Sequence, residues 1–226
     1  IIVVIMDIFF KLYQMNQEEN EKQLERDVAG ALADRKKLMI DAVTAISQML
    51  DAKDGYTQQH SKRVAEYSLM IAKNIGWNFT DKELEAIYRS ALLHDIGKIA
   101  VPDMILNKPD RLTDEEYNIM KLHTIWGGKI LKDLEFLPQA DLGAIYHHER
   151  VDGRGYPYGV NSDQLPAMVM IISAADSLDA MNSNRCYRKQ CDKAYIISEF
   201  EKGAGKQFDK RVAKTVIDMI ERGELL

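Results

Sequence analysis

No proline occurs before Pro102 in this chain of 226 residues. Because proline interrupts helices more strongly than any other residue, its absence permits long helices in the first hundred residues. Apolar residues there recur at spacings of three and four, with charged residues between them, which is typical of amphipathic helices. No segment shows the sustained apolar and polar alternation of a strand. The sequence therefore predicts an all-α protein.

Capping sequences and loop-forming residues divide the chain after residue 54 into shorter helices. Thr80 with Glu83, and Thr113 with Glu116, have the spacing of a capping box, which marks the start of a helix. The longest stretch rich in Gly, Pro and Asn is 153–166, which indicates a loop. The predicted helices are 11–50, 57–75, 81–97, 114–134, 138–147, 167–182, 192–202 and 208–222.

The N-terminal region differs in composition from the rest of the chain. Residues 1–10 are apolar except for Asp7 and are too few to span a bilayer, which needs about 20 residues. Two interpretations stay open: the cytoplasmic end of a truncated transmembrane helix, or the start of a buried or dimer-forming helix. The polar stretch that follows favours a connector or coiled-coil arm, joined to an upstream sensor or receiver domain. We therefore divide the chain into an N-terminal segment, 1–40, and a folded domain, 41–226.

Charge and cysteine content narrow the functional class. The formal net charge is −5, which disfavours a protein built to hold a nucleic acid polymer. The two cysteines, Cys186 and Cys191, cannot form a disulfide scaffold and favour a reducing compartment, so we expect a cytoplasmic domain. The histidines are few enough to consider individually: His60, His94, His123, His147 and His148.

Several of these histidines stand beside other groups that bind metals. His94 precedes Asp95 at the end of an apolar helical stretch, and His147 precedes His148 at the start of the glycine-rich loop. Asp176 lies in a helix with apolar neighbours, where a carboxylate is costly to bury unless it is paired or bound to a cation. Asp179 follows one turn later and is a candidate supporting partner. Each feature alone is weak evidence, and together they suggest a metal site.

The order of these residues resembles a known family. His60, His94-Asp95 and Asp176 are similar to the metal signature of the HD-domain phosphohydrolases. HDIGK at 94–98 and HHERVDGRGYP at 147–157 resemble the HD-GYP subfamily, as do DGYTQQHSKRV at 54–64 and ADSLDAM at 175–181. The resemblance extends in order over about two thirds of the chain, and it implies an HD-domain helical bundle preceded by an N-terminal connector helix.

The resemblance also implies a ligand set for two divalent transition-metal ions. Iron or manganese is favoured, and zinc, nickel or cobalt would also suit mixed His and carboxylate ligands. Members of the family with three metals carry a Glu a few residues before the first His, and residues 54–59 here contain no Glu, so we expect two metals. Asp54, six residues earlier, is expected to orient the helix start or a ligand His. By similarity, one metal would be held by His60, His94, Asp95 and Asp176, and the other by His123, His147 and His148 with Asp95 bridging.

The expected reaction is hydrolysis of cyclic di-GMP to pGpG, and further to GMP, by a hydroxide that bridges the two metals. Asp95 and Lys98 are the expected catalytic residues, and Lys98 is also expected to contact a substrate phosphate. Arg185 and Arg188 match family positions that face the substrate, and Tyr156 would either stack on a guanine or pack in the protein. Two alternatives remain open: hydrolysis of another cyclic dinucleotide such as 3′,3′-cyclic GMP-AMP, and binding of a dinucleotide or partner without turnover.

The resemblance and the N-terminal pattern also suggest protein partners. In the family, the GYP loop, which is Gly153 to Pro157 here, is a candidate surface for partners that include GGDEF domains. A wall of the substrate pocket is the other interpretation of the same loop. The N-terminal helix is a candidate homodimer contact. Membrane tethering through a truncated N-terminal segment remains one of the two interpretations of residues 1–10.

Overall fold

The computed structural model describes residues 2–54, 59–135, 137–183 and 191–225. Among these residues the regular secondary structure is helical, and none forms part of a sheet. Short 3-10 helices lie at Ile96–Ala100 and Ser162–Gln164. The α-helices are α1 Ile2–Lys53, α2 His60–Asn74, α3 Asp81–Leu92, α4 Asp103–Leu106, α5 Asp114–Lys121, α6 His123–Leu131, α7 Ala140–Tyr146, α8 Ala167–Asn182, α9 Lys193–Gly203 and α10 Lys210–Glu221.

The chain forms two compact units, Ile1–Ala42 and Val43–Leu226. The described part of the first unit consists of α1 residues, and apolar side chains such as Phe9, Leu24 and Leu32 are exposed there. Within the described residues, none of the helices contains a segment both long and apolar enough to cross a membrane. The boundary between residues 40 and 41 that we drew from composition stays a prediction.

The core of the second unit forms where α2, α3 and α8 pack together. Helix α8 is apolar on most of its surface, and Ile171, Ile172, Ala174 and Leu178 are fully buried. A helix that is apolar nearly all round is stable only when its neighbours surround it. Asp176 lies in this same helix. The packing of α8 against α2 and α3 therefore fixes the position of its carboxylate.

The two predicted capping boxes are confirmed. At the start of α3, the Glu83 backbone N–H donates to Thr80 Oγ1 at 3.3 Å, and the Thr80 N–H donates to a Glu83 carboxylate oxygen at 2.7 Å. Thr113 and Glu116 make the same reciprocal pair at the start of α5. Such caps stabilise a helix by about 1 kcal/mol each, and they fix where α3 and α5 begin.

The helix predicted over 11–50 extends over Ile2–Lys53, and two other predicted helices end early or are divided. The helix predicted over 81–97 ends at Leu92, because the backbone of Leu93 and His94 changes to hydrogen bonds with residues three positions earlier. The helix predicted over 114–134 is divided at Leu122 into α5 and α6. Helical periodicity continues through both points, so the sequence pattern alone did not reveal either break.

Gly97 lies where the segment after α3 meets the start of α6. A Cβ atom at this position would lie 1.8 Å from the carbonyl oxygen of His123 and 2.4 Å from the backbone nitrogen of Gly127. Only glycine allows two backbones to approach this closely. The contact brings Asp95, two residues before Gly97, next to His123.

Candidate metal centre

Asp95 lies at the centre of the predicted ligand set. Its Oδ1 atom is 3.4 Å from Nε2 of His123 and 3.6 Å from Nε2 of His147. Its Oδ2 atom is 3.4 Å from Nε2 of His94 and 3.8 Å from Nε2 of His60. The two oxygens of one buried carboxylate therefore face two different groups of imidazoles.

The ligand atoms form two clusters that could each hold a metal ion. In both clusters the candidate ligand atoms lie within 4.8 Å of one another. His60 Nε2 lies 3.3 Å from Asp176 Oδ1, which joins α2 to α8. The first cluster is His60, His94 and Asp176, and the second is Asp95, His123, His147 and His148. All seven predicted ligands thus lie together.

The orientation of the imidazoles fits metal ligation. His94 Nδ1 is 2.7 Å from the carbonyl oxygen of Ala91, and His123 Nδ1 is 2.7 Å from that of Met120. His147 Nδ1 likewise contacts the carbonyl of Gly143 at 2.9 Å. Because a carbonyl oxygen only accepts, each Nδ1 carries the proton and each Nε2 presents a lone pair to the centre.

Two further features of the imidazoles are unfavourable unless a cation is bound beside them. Nε2 of His123 and Nε2 of His147 are 3.3 Å apart, and both lack a proton when Nδ1 is protonated. Nε2 of His94 is buried and makes no hydrogen bond with any described residue. Buried polar atoms are usually hydrogen-bonded, so the donor set suits metal ions.

The pKa values of His123 and His148 favour neutral imidazoles. Burial lowers the pKa of His123 to about 4, and burial also lowers the pKa of His148 well below its usual value. Burial alone would raise the pKa of Asp95, but the nearby charge of Lys98 holds it well below the usual carboxyl range. Neutral imidazoles and an ionised carboxylate are the forms that bind metals.

Asp179 supports His60 from the side away from the centre. Its Oδ2 atom lies 2.7 Å from His60 Nδ1, and its Oδ1 atom accepts from Arg63 Nε at 2.6 Å. The hydrogen bond from His60 to Asp179 directs Nε2 toward Asp95 and Asp176. Our sequence reasoning found Asp179 but missed Arg63, whose only signal was its position three residues after His60.

Lys98 lies partly buried between two carboxylates. Its Nζ atom lies 2.8 Å from Asp95 Oδ2 and 3.0 Å from Asp54 Oδ2. Burial would lower the pKa of Lys98, but the charges of Asp95 and Asp54 raise it above the usual lysine value. The Lys98 contact is one that the sequence did not suggest for Asp54, and the expectation that Asp54 orients the helix start or a ligand His stays a prediction.

A cavity of about 230 Å³ opens beside the clusters. Tyr156, His148 and Asp176 line one side of it. Several other polar groups line the cavity, and our sequence reasoning assigned no role to them, although Arg150, Arg154 and Ser177 lie inside the motifs quoted above. These polar groups are Arg150, Arg154, Ser173, Ser177 and Gln207. Arg185 and Arg188, which we expected to face the substrate, lie outside the described residues.

Comparison with known proteins identifies the family. The sequence model of the HD domain matches residues 44–212, about three quarters of the chain. The chain belongs to the HD-domain family. The predicted HD-GYP resemblance and the all-α HD-domain bundle are also confirmed.

Two curated relatives of this HD-domain chain act on cyclic dinucleotides according to their names. The 3′3′-cGAMP-specific phosphodiesterase 3 of Vibrio cholerae is 41% identical over 70% of this chain and 34% of its own length. The cyclic di-GMP phosphodiesterase of Thermotoga maritima is 34% identical over 87% of this chain and 53% of its own length. The chain thus spans between one third and about half of these relatives.

A solved structure shares the fold. An HDG"Y"P protein from Bdellovibrio bacteriovorus superimposes with a TM-score of 0.58 at 23% identity, over 72% of this chain and 51% of that chain. At this level of identity the likeness concerns the fold alone.

Proposed function

We propose that this HD domain is a metal-dependent phosphodiesterase that hydrolyses cyclic di-GMP to pGpG, and further to GMP. The observation that carries the proposal is the pair of His and Asp clusters that meet at Asp95 beside a polar cavity. A cyclic dinucleotide presents two phosphodiesters, and paired metal sites are suited to in-line displacement at such a group. The names of the relatives agree with this substrate class.

We assign two divalent transition-metal ions, iron or manganese before zinc, nickel or cobalt, to the seven clustered residues. Bound ions would supply positive charge to the phosphoryl oxygens and lower the pKa of water at the site. The donors would be His60, His94 and Asp176 for one ion and His123, His147 and His148 for the other, with Asp95 shared.

The protein's own residues have distinct tasks in this proposal. Asp95 directs one oxygen toward each cluster, and the single charge of Lys98 partly offsets the charges of Asp95 and Asp54. Lys98 is also the proposed contact of a substrate phosphate. Tyr156 forms a cavity wall, and Arg185 and Arg188 remain proposed substrate contacts.

A second candidate substrate is 3′,3′-cyclic GMP-AMP. The observation that favours it is the 41% identity with a phosphodiesterase named for that molecule. A non-catalytic binding domain is the less favoured reading, because all seven ligand residues are present and clustered.

The proposal is tested by loading the purified chain with Mn²⁺ or, without oxygen, Fe²⁺, and incubating it with each cyclic dinucleotide. We expect about two metal ions per chain by elemental analysis, and the appearance of a linear dinucleotide by chromatography. A chelator should abolish turnover, and added metal should restore it. Fewer than two bound ions together with no hydrolysis of either substrate would refute the enzymatic function.

We further propose that residues 1–40 form a connector helix that joins an upstream sensor or receiver domain and pairs with a second copy of the chain. The exposed apolar side chains of Leu24, Val28 and Leu32 support this role, because they recur at a four-residue spacing. Light scattering should show a dimer for the intact chain and a monomer for Val28→Asp. Tethering to a membrane and binding of a GGDEF domain by the 153–159 loop remain proposals of the same kind.

A further inference from the structure

Glu149 is a buried carboxylate that the proposed reaction leaves without a task. It follows His147 and His148 directly, and only 2% of its surface is exposed. Its Oε1 atom accepts hydrogen bonds from the backbone N–H groups of Tyr158 at 2.7 Å and Gly159 at 3.0 Å. Its Oε2 atom makes no hydrogen bond with any described residue. Burying a carboxylate costs free energy unless it is hydrogen-bonded or paired. The two hydrogen bonds to the loop are therefore the contacts that compensate for the burial of Glu149.

The loop that Glu149 holds folds back onto the end of α7. The Tyr156 N–H donates to the carbonyl oxygen of His148 at 3.3 Å. A Cβ atom at Gly155 would lie 2.4 Å from Cα of Glu149 and 2.6 Å from the carbonyl oxygen of His148. The loop backbone at Gly155 therefore lies directly against residues 148–150. Glu149 holds the same loop a few residues later, at Tyr158 and Gly159.

The side chain of Tyr156, in this loop, lines the cavity. The Tyr156 ring stacks on the His148 imidazole, with centroids 4.7 Å apart and planes inclined by 29°. Both side chains line the cavity of about 230 Å³. The position of this wall depends on the backbone from Gly155 to Gly159, which Glu149 holds.

We propose that Glu149 is a positioning residue that anchors the 153–159 loop, so that Tyr156 stays stacked on His148 and the substrate pocket keeps its shape. The substrate part of this inference rests on the proposed function. Glu149 is itself a lining residue of the cavity, and because both of its described hydrogen bonds go to the loop backbone, it acts through the loop. A hydrogen bond from an N–H to an ionised acceptor is among the stronger kinds in proteins, which suits an anchor for a loop without regular secondary structure.

Two substitutions separate the hydrogen bonds from the charge. Glu149→Gln keeps a carbonyl oxygen that can accept from Tyr158 and Gly159, whereas Glu149→Ala removes the acceptor. Val216→Ala, in the buried face of α10, is the control for a general loss of stability. Each protein is compared as the full chain, with its metal content measured beside the wild type.

The first readout is amide hydrogen exchange in peptides that contain residues 153–160. We expect exchange at least about tenfold faster in Glu149→Ala, because the loss of a hydrogen bond to a charged group has an effect of that order. Glu149→Gln should exchange nearly as slowly as the wild type, and Val216→Ala should leave these peptides unchanged. Unchanged exchange in Glu149→Ala, or equally fast exchange in both Glu149 variants, would overturn the proposal.

The second readout is steady-state hydrolysis of cyclic di-GMP. Glu149→Ala should raise KM about tenfold, with kcat changed by less than about threefold and metal content unchanged, because the pocket wall and not the ligand set is disturbed. Glu149→Gln should restore most of the lost affinity. If the wild type hydrolyses no cyclic dinucleotide, the proposed function fails, while the exchange measurement still decides whether Glu149 anchors the loop.

Discussion

The ammonium group of Lys98 lies 2.8 Å from Oδ2 of Asp95, the carboxylate at the centre of both ligand clusters. Asp54 holds the same ammonium group at 3.0 Å from the other side. These contacts hold the central carboxylate in place, and the contact of Lys98 with a substrate phosphate that the family resemblance implied stays a proposal. Lys98 and Asp54 therefore link the end of α1 to the ligand set.

Replacement of the central carboxylate should have the largest effect. We expect Asp95→Ala to lose both metal loading and detectable hydrolysis, because Asp95 contributes an oxygen to each cluster. Elemental analysis and chromatography of the products would measure the two losses. Asp133→Ala, which removes an exposed carboxylate, should behave as the wild type, and an active Asp95→Ala protein would place the site elsewhere.

Asp54→Asn tests whether the pair with Lys98 matters to the reaction. The variant keeps the size of the side chain but weakens the ion pair, so Lys98 and Asp95 lose part of their fixed geometry. We expect hydrolysis to fall about tenfold with metal content preserved, since supporting contacts of this kind usually cost between tenfold and a hundredfold. Wild-type kinetics in this variant would mean that Asp95 alone positions Lys98.

Asp179→Asn should weaken the metal site through His60. The neutral amide is a weaker acceptor for His60 Nδ1 and for Arg63, so the imidazole is less well oriented. We expect metal affinity to fall about tenfold to a hundredfold in a competition titration with a chelator. Asp192→Asn is the matched control, because Asp192 caps α9 and Asn caps a helix about as well as Asp.

Gly97→Ala should disturb both folding and the metal site. The added Cβ would lie 1.8 Å from the carbonyl oxygen of His123, so the backbone must shift. We expect a loss of several kcal/mol, about 3 or more, in the free energy of unfolding, as for other overpacked positions without room to adjust. Chemical denaturation would measure it.

Gly30→Ala is the natural control for that substitution. Gly30 lies within α1, and a Cβ atom there would meet nothing within 4 Å. Alanine should leave stability unchanged or raise it by about 0.5–1 kcal/mol, because glycine is the poorer helix former. Equal destabilisation by both substitutions would contradict the close contact between Gly97 and His123.

The sequence by itself determined the helical class and the identities of the clustered residues. Amphipathic spacing and the two capping boxes located most helices, because those signals are local in the chain. The seven predicted ligands were recognised from short segments such as His94-Asp95 and His147-His148 and from their order. That those residues are metal ligands stays a prediction.

Only the tertiary structure decided which groups meet across elements that are distant in sequence. The break after Leu92, the close contact of Gly97 with His123, and the pairing of Lys98 with Asp54 all depend on packing between elements, which periodicity does not record. The same holds for Glu149, whose neighbours in the chain suggested no anchor for Tyr158 and Gly159. A local pattern reports the conformational propensity of one segment. These contacts form only when segments far apart in the chain pack together and bury apolar surface.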